Sequence, residues 1–90
     1  MIQDFIVSPD VVSRELEKEQ VLLDMTNGAY FGLNEAGSLI WKLFLENKNA
    51  DHIAEKLVVE YQVSYEEAIK DIATLFKTMQ EKGLIKAKAD

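Results

Sequence analysis

The alternation of apolar and polar residues changes character near Asn34. Before this residue, short runs rich in Val, Ile, Tyr, Phe and Thr are typical of β-strands. After it, apolar residues recur every three or four positions, which is the spacing of one face of a helix. This order predicts an α+β domain in which a small antiparallel sheet is followed by helices.

A β-hairpin centred on Asn27-Gly28 is the strongest local prediction. Residues 21–26 and 29–33 have strand character on either side of this dipeptide, whose tolerance of positive φ suits a two-residue type I′ turn. Such a turn pairs Met25 with Tyr30, Asp24 with Phe31 and Leu22 with Leu33. Because both faces then carry large apolar side chains, we expect the sheet to be covered on both sides.

A first strand over residues 11–16 completes a three-stranded sheet, with the polar residues 17–20 as its connection to the hairpin. The last strand then lies at an edge of the sheet, where unpaired amides and carbonyls can accept another extended chain. Neither lysine nor proline guards this edge. We therefore expect a peptide to bind along its five residues, Ala29, Tyr30, Phe31, Gly32 and Leu33.

Three helices are predicted from their capping residues. Asn34 and Asn49 can each accept a hydrogen bond from a first-turn amide, and Ser64 and Glu67 have the spacing of a capping box. The first helix is expected to run to about Leu45. Three strands followed by three helices give a winged helix-turn-helix-like architecture.

The third helix carries an apolar stripe, and Gly83 is expected to end it in a Schellman motif with Leu84 folded back on Met79. At 100° per residue, one flank of this stripe can line a groove beside the edge strand. The flank consists of Ile69, Ala73 and Phe76, with Lys70 and Lys77 further round the same side, where they can pair acidic groups of a bound peptide. For Phe31 and Phe76, ordinary core packing is the alternative role.

Composition narrows the possible functions. Ninety residues with 48% hydrophobic content predict a single domain over residues 1–90, too small to enclose a large catalytic pocket. The absence of cysteine excludes disulfides and thiolate chemistry. No apolar run approaches the roughly 20 residues that cross a bilayer, and residues 1–7 lack the basic start of a targeting segment. We therefore expect a cytoplasmic protein.

Two residues are candidates for acid-base or metal chemistry. His52 lies beside Asp51 and Glu55, but a lone imidazole binds divalent ions weakly, so we expect a solvated helix residue. Asp24 lies among apolar strand residues, and we expect its carboxylate to accept hydrogen bonds from nearby turn amides. The sequence therefore predicts no catalytic residue, no cofactor and no metal site.

A winged-helix DNA-binding regulator is the alternative of another class. The formal charge of −6 disfavours contact with phosphates. Recognition helices normally present Arg, Lys, Asn or Gln to base edges, whereas the third helix presents Glu66, Glu67, Asp71 and Glu81. We expect the loose basic tail of Lys82, Lys86 and Lys88 to be solvated surface.

The chain also resembles a known family. The similarity begins at Leu22-Leu-Asp24 and is most specific over residues 28–37, Gly-Ala-Tyr-Phe-Gly-Leu-Asn-Glu-Ala-Gly, followed by Ile40-Trp41. Matches in the helical half are Asn49-Ala-Asp-His-Ile53, Tyr61-Gln-Val-Ser64, Glu67-Ala68 and Gly83-Leu84-Ile85. Over about residues 11–86 the sequence is similar to the PqqD-like family, named after a protein of pyrroloquinoline quinone biosynthesis.

The resemblance implies a recognition element for ribosomally made, post-translationally modified peptides. Such domains bind the leader segment of a precursor peptide as an added strand between the third strand and the third helix, and contribute no chemistry themselves. The implied partners are a leader peptidase and a macrolactam synthetase of lasso peptide biosynthesis or, alternatively, a radical S-adenosylmethionine enzyme. The short length and residues 30–35, Tyr-Phe-Gly-Leu-Asn-Glu, look most like the lasso peptide branch. His52 and the abundant lysine and glutamate of the helices depart from the family's commoner residues.

Overall fold

The computed structural model describes residues 2–88, and its elements confirm the predicted α+β order. The strands are β1 (Phe5–Val7), β2 (Val11–Leu16), β3 (Glu19–Asp24), β4 (Ala29–Leu33) and β5 (Ile85–Ala87), and a short 3-10 turn, Ile2–Asp4, precedes them. The helices between β4 and β5 are α1 (Glu35–Leu45), α2 (Ala50–Tyr61) and α3 (Tyr65–Glu81). Strands β2, β3 and β4 form the predicted three-stranded antiparallel sheet.

Each helix begins at the predicted cap. The side chains of Asn34 and Asn49 accept hydrogen bonds from the amides of Gly37 and His52, each at 2.8 Å. The Ser64 hydroxyl accepts one from the Glu67 amide at 3.0 Å. These bonds satisfy first-turn donors that have no partner inside the helix, and so fix where each helix starts.

The end of α3 is the predicted Schellman motif. The Leu84 amide donates to the Met79 carbonyl at 2.9 Å, and the Gly83 amide donates to the Gln80 carbonyl at 3.0 Å. Gly83 has a φ of 74°, a conformation that costs a residue with a Cβ more than it costs glycine. The reversal sends the chain from α3 directly into β5.

The predicted register of the β3-β4 hairpin is wrong by two residues. Asp24 pairs with Ala29 and Leu22 with Phe31, so the connecting loop has four residues, 25–28. The Asp24 carboxylate accepts from the Thr26 amide at 2.9 Å and the Asn27 side chain from the Ala29 amide at 2.8 Å. These local bonds stabilise a longer loop in which Gly28 has positive φ and Asn27 does not, so a type I′ turn is not formed. The shift by an even number leaves every side chain on its predicted face.

The connection between β2 and β3 is also shorter than predicted. Leu16 pairs with Glu19, so only Glu17 and Lys18 lie between the strands, and Glu17 takes a φ of 59°. Glu19 and Gln20, predicted as connection, belong to β3.

The expectation that the sheet is covered on both faces is wrong. The inner face, which includes Leu22 and Leu33, is buried against the helical half, whereas Val12, Leu16 and Tyr30 on the outer face are 50%, 55% and 76% exposed. The cause is topological, since α1 packs beneath β3 and β4, α2 packs on α1, and α3 packs on α2 and contacts α1 through Phe76 and Phe44. Apolar composition alone did not reveal that one face stays open.

Strands β1 and β5 form a second, two-stranded sheet that the sequence analysis did not predict. Phe5 pairs with Ala87 and Val7 with Ile85. The Ser8 amide donates to the Leu84 carbonyl at 3.0 Å, and its hydroxyl donates to the Gly83 carbonyl at 2.7 Å. This sheet joins the two ends of the described chain and buries Ile85 in the core.

The core lies between the inner face of the sheet and the helices. Three aromatic side chains form its centre, with ring centroids of Trp41 and Phe44 separated by 5.6 Å and those of Phe44 and Phe76 by 5.0 Å in an edge-on contact. Within residues 2–88, none of the helices has the length and apolar character that a membrane span requires.

We predict that Gly83→Ala lowers the free energy of unfolding by about 1 kcal/mol, because the added Cβ is strained at positive φ. Gly32→Ala is the matched control, since a Cβ there also meets no atom within 4 Å but the backbone is extended. Urea titration followed by circular dichroism measures both. Equal effects of the two substitutions would contradict the role assigned to Gly83.

Candidate functional site

The outer edge of β4 is vacant within the described residues. The sheet order is β2-β3-β4, and β1 and β5 pair with each other instead of with β4. This confirms the prediction that residues 29–33 form a sheet edge.

The direction of the backbone groups on β4 follows from a bridge made by Ser38. Its hydroxyl accepts from the Gln20 amide at 2.8 Å and donates to the Leu33 carbonyl at 3.2 Å, so these two backbone groups face each other between β3 and β4. Backbone groups alternate in direction along an antiparallel strand. The amides and carbonyls of Tyr30 and Gly32 therefore point away from β3, toward the vacant side.

The side chains of β4 alternate between the two faces of the sheet. Phe31 is half-buried and Leu33 is buried on the inner face, while Tyr30 and Gly32 face outward and Ala29 is exposed at the start of the strand. A Cβ built on Gly32 meets no atom within 4 Å. The outer face of the sheet at the middle of this strand is therefore open.

Lys82 connects the end of α3 with β4. Its ammonium lies 5.8 Å from the centroid of the Phe31 ring, within the range of a cation–π interaction, which is worth about 0.5–1 kcal/mol at an exposed position. The sequence predicts Lys82 to be part of a solvated tail, and the contact with Phe31 corrects that prediction. No sequence signal indicates this contact, because it depends on how the cap of α3 is placed over the sheet.

The residues predicted on α3 have different surroundings. Phe76 is 3% exposed and packs on Phe44 and on Phe5, whose ring centroid is 6.2 Å away, so its role is core packing. Ile69 is half-buried, and Lys70, Ala73 and Lys77 are exposed. Lys77 precedes Lys82 by five residues. At 100° per residue of helix, their side chains point in directions about 140° apart. The structure thus brings Lys82 to Phe31, and a role for the other four in a groove stays a prediction.

The structure gives the surroundings of both acid-base candidates, Asp24 and His52. The Asp24 carboxylate accepts from the Thr26 turn amide, as expected. His52 is half-buried, and its amide donates to the cap of α2. No group of three or more potential metal ligands is found among residues 2–88.

A cleft that the sequence does not predict lies between the β2-β3 turn and the helices α1 and α2. Its volume is about 750 Å³, and its lining includes five carboxylates, those of Glu15, Glu17, Glu35, Glu46 and Glu60. Burial, together with the charges of Glu35 and Glu60, raises the pKa of Tyr61 in the same cleft. Lys18 and Lys42 also line this cleft, and the five carboxylates outnumber these two ammonium groups, so the cleft has an excess of negative charge.

Comparison with known proteins identifies the family. Residues 19–85 match the family described as Coenzyme PQQ synthesis protein D (PqqD). The chain belongs to the PqqD family. The match includes β3, β4 and all three helices, which are the elements that form the vacant edge and its surroundings.

Two solved structures share the fold of this PqqD-family domain. One is TbiB1 in complex with the TbiA(beta) leader peptide, which is 34% identical with a TM-score of 0.83; the similarity covers 93% of this chain and 98% of that one. The other is a lasso peptide synthetase B1 complexed with the leader peptide, which is 30% identical with a TM-score of 0.86, covering 92% of this chain and 98% of the other. A comparison with curated proteins gives no match.

We predict that Phe76→Ala lowers the free energy of unfolding by about 3–5 kcal/mol, because it leaves a cavity beside Phe44. Lys77→Ala, one residue further along α3, is exposed and should change it by less than about 0.5 kcal/mol. Thermal and urea unfolding measure both. A loss below about 1 kcal/mol for Phe76→Ala would show that the side chain is not part of the core.

Proposed function

We propose that this PqqD-family domain binds the leader segment of a ribosomally made precursor peptide as an additional strand on β4. The observation that carries the proposal is the vacant edge of β4. There the amides and carbonyls of Tyr30 and Gly32 point away from β3, toward the vacant side. Family membership supports it, as do the two similar structures, each of which is a complex with a leader peptide.

A strand added at the usual spacing of about 4.8 Å has two sets of side chains. One set points to the inner side of the sheet, toward Phe31 and Lys82, and the other to the outer side, beside Tyr30 and Gly32. Backbone hydrogen bonds to β4 supply affinity that depends little on sequence, and the inner-side contacts select side chains. Ile69, Lys70, Ala73 and Lys77 are the proposed contacts on α3, and we add Lys82 at its C-cap because its ammonium lies near Phe31.

The proposed role is recognition without catalysis. Holding the leader beside a modifying enzyme raises the local concentration of the precursor, so that a weak substrate is processed as if it were tethered. The proposed partners are the leader peptidase and macrolactam synthetase of a lasso peptide pathway, with a radical S-adenosylmethionine enzyme as the alternative. The similarity to two leader-binding B1 proteins supports the lasso peptide branch.

We predict that Gly32→Pro weakens leader binding by at least about tenfold. Proline removes the amide that points to the vacant edge of β4, and its ring lies where the added leader strand would be. The Gly32 amide donates no hydrogen bond to β3, so the pairing of β4 with β3 is kept. Isothermal titration calorimetry measures the effect, with the TbiA(beta) leader peptide of the similar complex as the probe. Circular dichroism confirms that each variant is folded.

Gly32→Ala is the control for this experiment, because it keeps the amide and adds a Cβ in open space. Its affinity should stay within about threefold of the original. If folded Gly32→Pro binds the leader normally, the peptide does not add to β4. Binding of DNA in place of the leader, with a steep loss of affinity as salt rises, would support the winged-helix regulator instead.

We predict that Lys82→Glu weakens binding of an acidic leader more than Lys77→Glu does, by about threefold or more, because Lys82 lies beside Phe31 on β4. Lys70→Glu is expected to behave as Lys77→Glu does, with a modest loss. Calorimetry at low ionic strength compares the three variants. A larger loss of affinity for Lys77→Glu than for Lys82→Glu would place the peptide on the other flank of α3. If none of the three charge reversals changes the affinity, none of the three lysines belongs to the site.

A further inference from the structure

The three-stranded sheet has a second edge, at β2. Within residues 2–88 the strand order is β2-β3-β4, so β2 has a neighbouring strand on one side only. The Gln20 amide of β3 points to β4, where Ser38 accepts it, and Glu15 is the β2 partner of Gln20. Backbone groups of antiparallel partners point either toward each other or away from each other. The amides and carbonyls of Glu15, and of Ser13 two residues earlier, therefore point to the vacant side of β2.

The inner face of β2 lies beside the cleft of about 750 Å³ between the β2-β3 turn and the helices α1 and α2. Ser13 and Glu15 line this cleft, and every residue of β2 after Val11 is exposed. A strand added to β2 has alternate side chains on the inner side of the sheet, next to the residues that line the cleft. The edge and the cleft thus form one site, in which backbone groups hold a strand and a hollow receives its side chains.

The charge of the cleft specifies the guest. Its lining includes the five carboxylates named above and two ammonium groups. None of these carboxylates forms an ion pair with another residue in the range 2–88. Arginine and lysine are the side chains that complement such a lining. A guest strand with basic side chains on its inner side therefore matches the cleft.

Trp41 is a second, independent indication of a ligand. Its side chain lines the cleft and is 2% exposed, and its indole N–H has no acceptor among the described residues. Buried donors are nearly always hydrogen-bonded in folded proteins. A peptide seated in the cleft is a source of the acceptor that this indole lacks.

We propose that β2 is a second peptide-binding edge of the domain, and that it takes an extended, arginine- or lysine-bearing segment of a protein other than the precursor. Its preference is opposite to that of β4, where the Lys82 ammonium favours acidic groups. Because β2 and β4 are opposite edges of one sheet, both can be occupied at once. The domain then joins the leader to the second protein. Strand addition at β2 does not itself depend on leader binding at β4.

The same charge argues against a second copy of this chain as the occupant. Each copy has a net charge of −6, and pairing of two β2 edges brings two carboxylate-rich clefts together. Addition of β4 of one copy to β2 of the next is a head-to-tail contact, which gives open filaments unless the rotation closes a ring. A basic segment of another protein meets neither obstacle.

The test uses two synthetic hexapeptides, one that alternates arginine with valine and one that alternates glutamate with valine. The isotope-labelled domain is titrated with each and followed by heteronuclear NMR. The chain has one tryptophan, so the indole N–H signal of Trp41 reports on the cleft without overlap. We expect the arginine peptide to shift this signal and the amide signals of Ser13 and Glu15, with saturation at about 1 mM. The glutamate peptide is expected to shift none of them.

Ser13→Pro tests the edge directly, because proline removes an amide that points to the vacant side and is tolerated at a sheet edge. We expect it to weaken binding of the arginine peptide by at least about tenfold, while Ser13→Ala, which keeps the amide, stays within about threefold of the original. Circular dichroism checks that both variants are folded. If Ser13→Pro does not fold, Glu15→Gln/Glu60→Gln takes its place, with a loss of at least about threefold expected because two of the five carboxylates are neutralised.

Three results of the titration would overturn the proposal: no shift at Trp41, Ser13 and Glu15, equal responses to the two peptides, or unchanged affinity of folded Ser13→Pro. Sedimentation of the unmodified domain gives a fourth. A dimer or filament that Ser13→Pro disrupts would assign β2 to self-association.

The TbiA(beta) leader peptide, titrated in the same way, tests the proposed function separately. It is expected to shift the amide signals of Tyr30 and Gly32 and to leave those of Ser13 and Glu15 unchanged. A leader that shifts no signal would overturn leader binding at β4 and leave the second edge intact. A leader that shifts Ser13 and Glu15 in place of Tyr30 and Gly32 would overturn both proposals.

Discussion

The direct passage from β4 into α1 is the constraint on which the rest of the structure depends. Leu33 ends the strand, Asn34 caps the helix, and Ser38 in the first turns of α1 bridges the Gln20 amide and the Leu33 carbonyl. Gly37 allows this close approach, since a Cβ there would lie 3.2 Å from the Asn34 side-chain oxygen. With α1 held beneath the sheet, α2 and α3 are added on the same side, and neither the edge of β4 nor the outer face is covered.

The sequence was sufficient to predict those features that depend on neighbouring residues. The caps at Asn34, Asn49 and Ser64 and the turn at Gly83 require only short-range hydrogen bonds, and all four are confirmed. The vacant edge was also predictable, because the order of three strands before three helices leaves the last strand unpaired on one side. The hairpin register was not, since bonds from the side chains of Asp24 and Asn27 outweighed the preference of an Asn-Gly pair for a tight turn.

The features that were missed depend on tertiary placement. Strands β1 and β5 are each three residues long, too short for an alternating pattern to be detected, and they exist because they pair with each other. The contact of Lys82 with Phe31 joins residues that only the folded chain brings together. The periodicity of α3 identified its buried stripe but could not decide which flank of that stripe lies toward β4. Phe76 shows the same limit, because the helical spacing is identical for a core residue and a groove residue.

The net charge differs between the cleft at the β2-β3 turn and the inner side of β4. Carboxylates surround the cleft at the β2-β3 turn, whereas Lys82 lies over the inner side of β4. The excess of carboxylates disfavours an acidic group in the first region, and the Lys82 ammonium favours one in the second. Recognition by backbone groups also tolerates variation in the guest, so one such edge can serve precursors that differ at many positions.

The pairing of Phe5 with Ala87 has a consequence for how the domain can be combined with other proteins. Antiparallel partners have their Cα atoms about 5 Å apart, so the chain enters and leaves the fold at nearly the same point. A host protein can therefore accommodate the whole unit within a surface loop without separating the two sides of that loop. The domain is therefore suited to insertion into another protein as well as to end-to-end fusion.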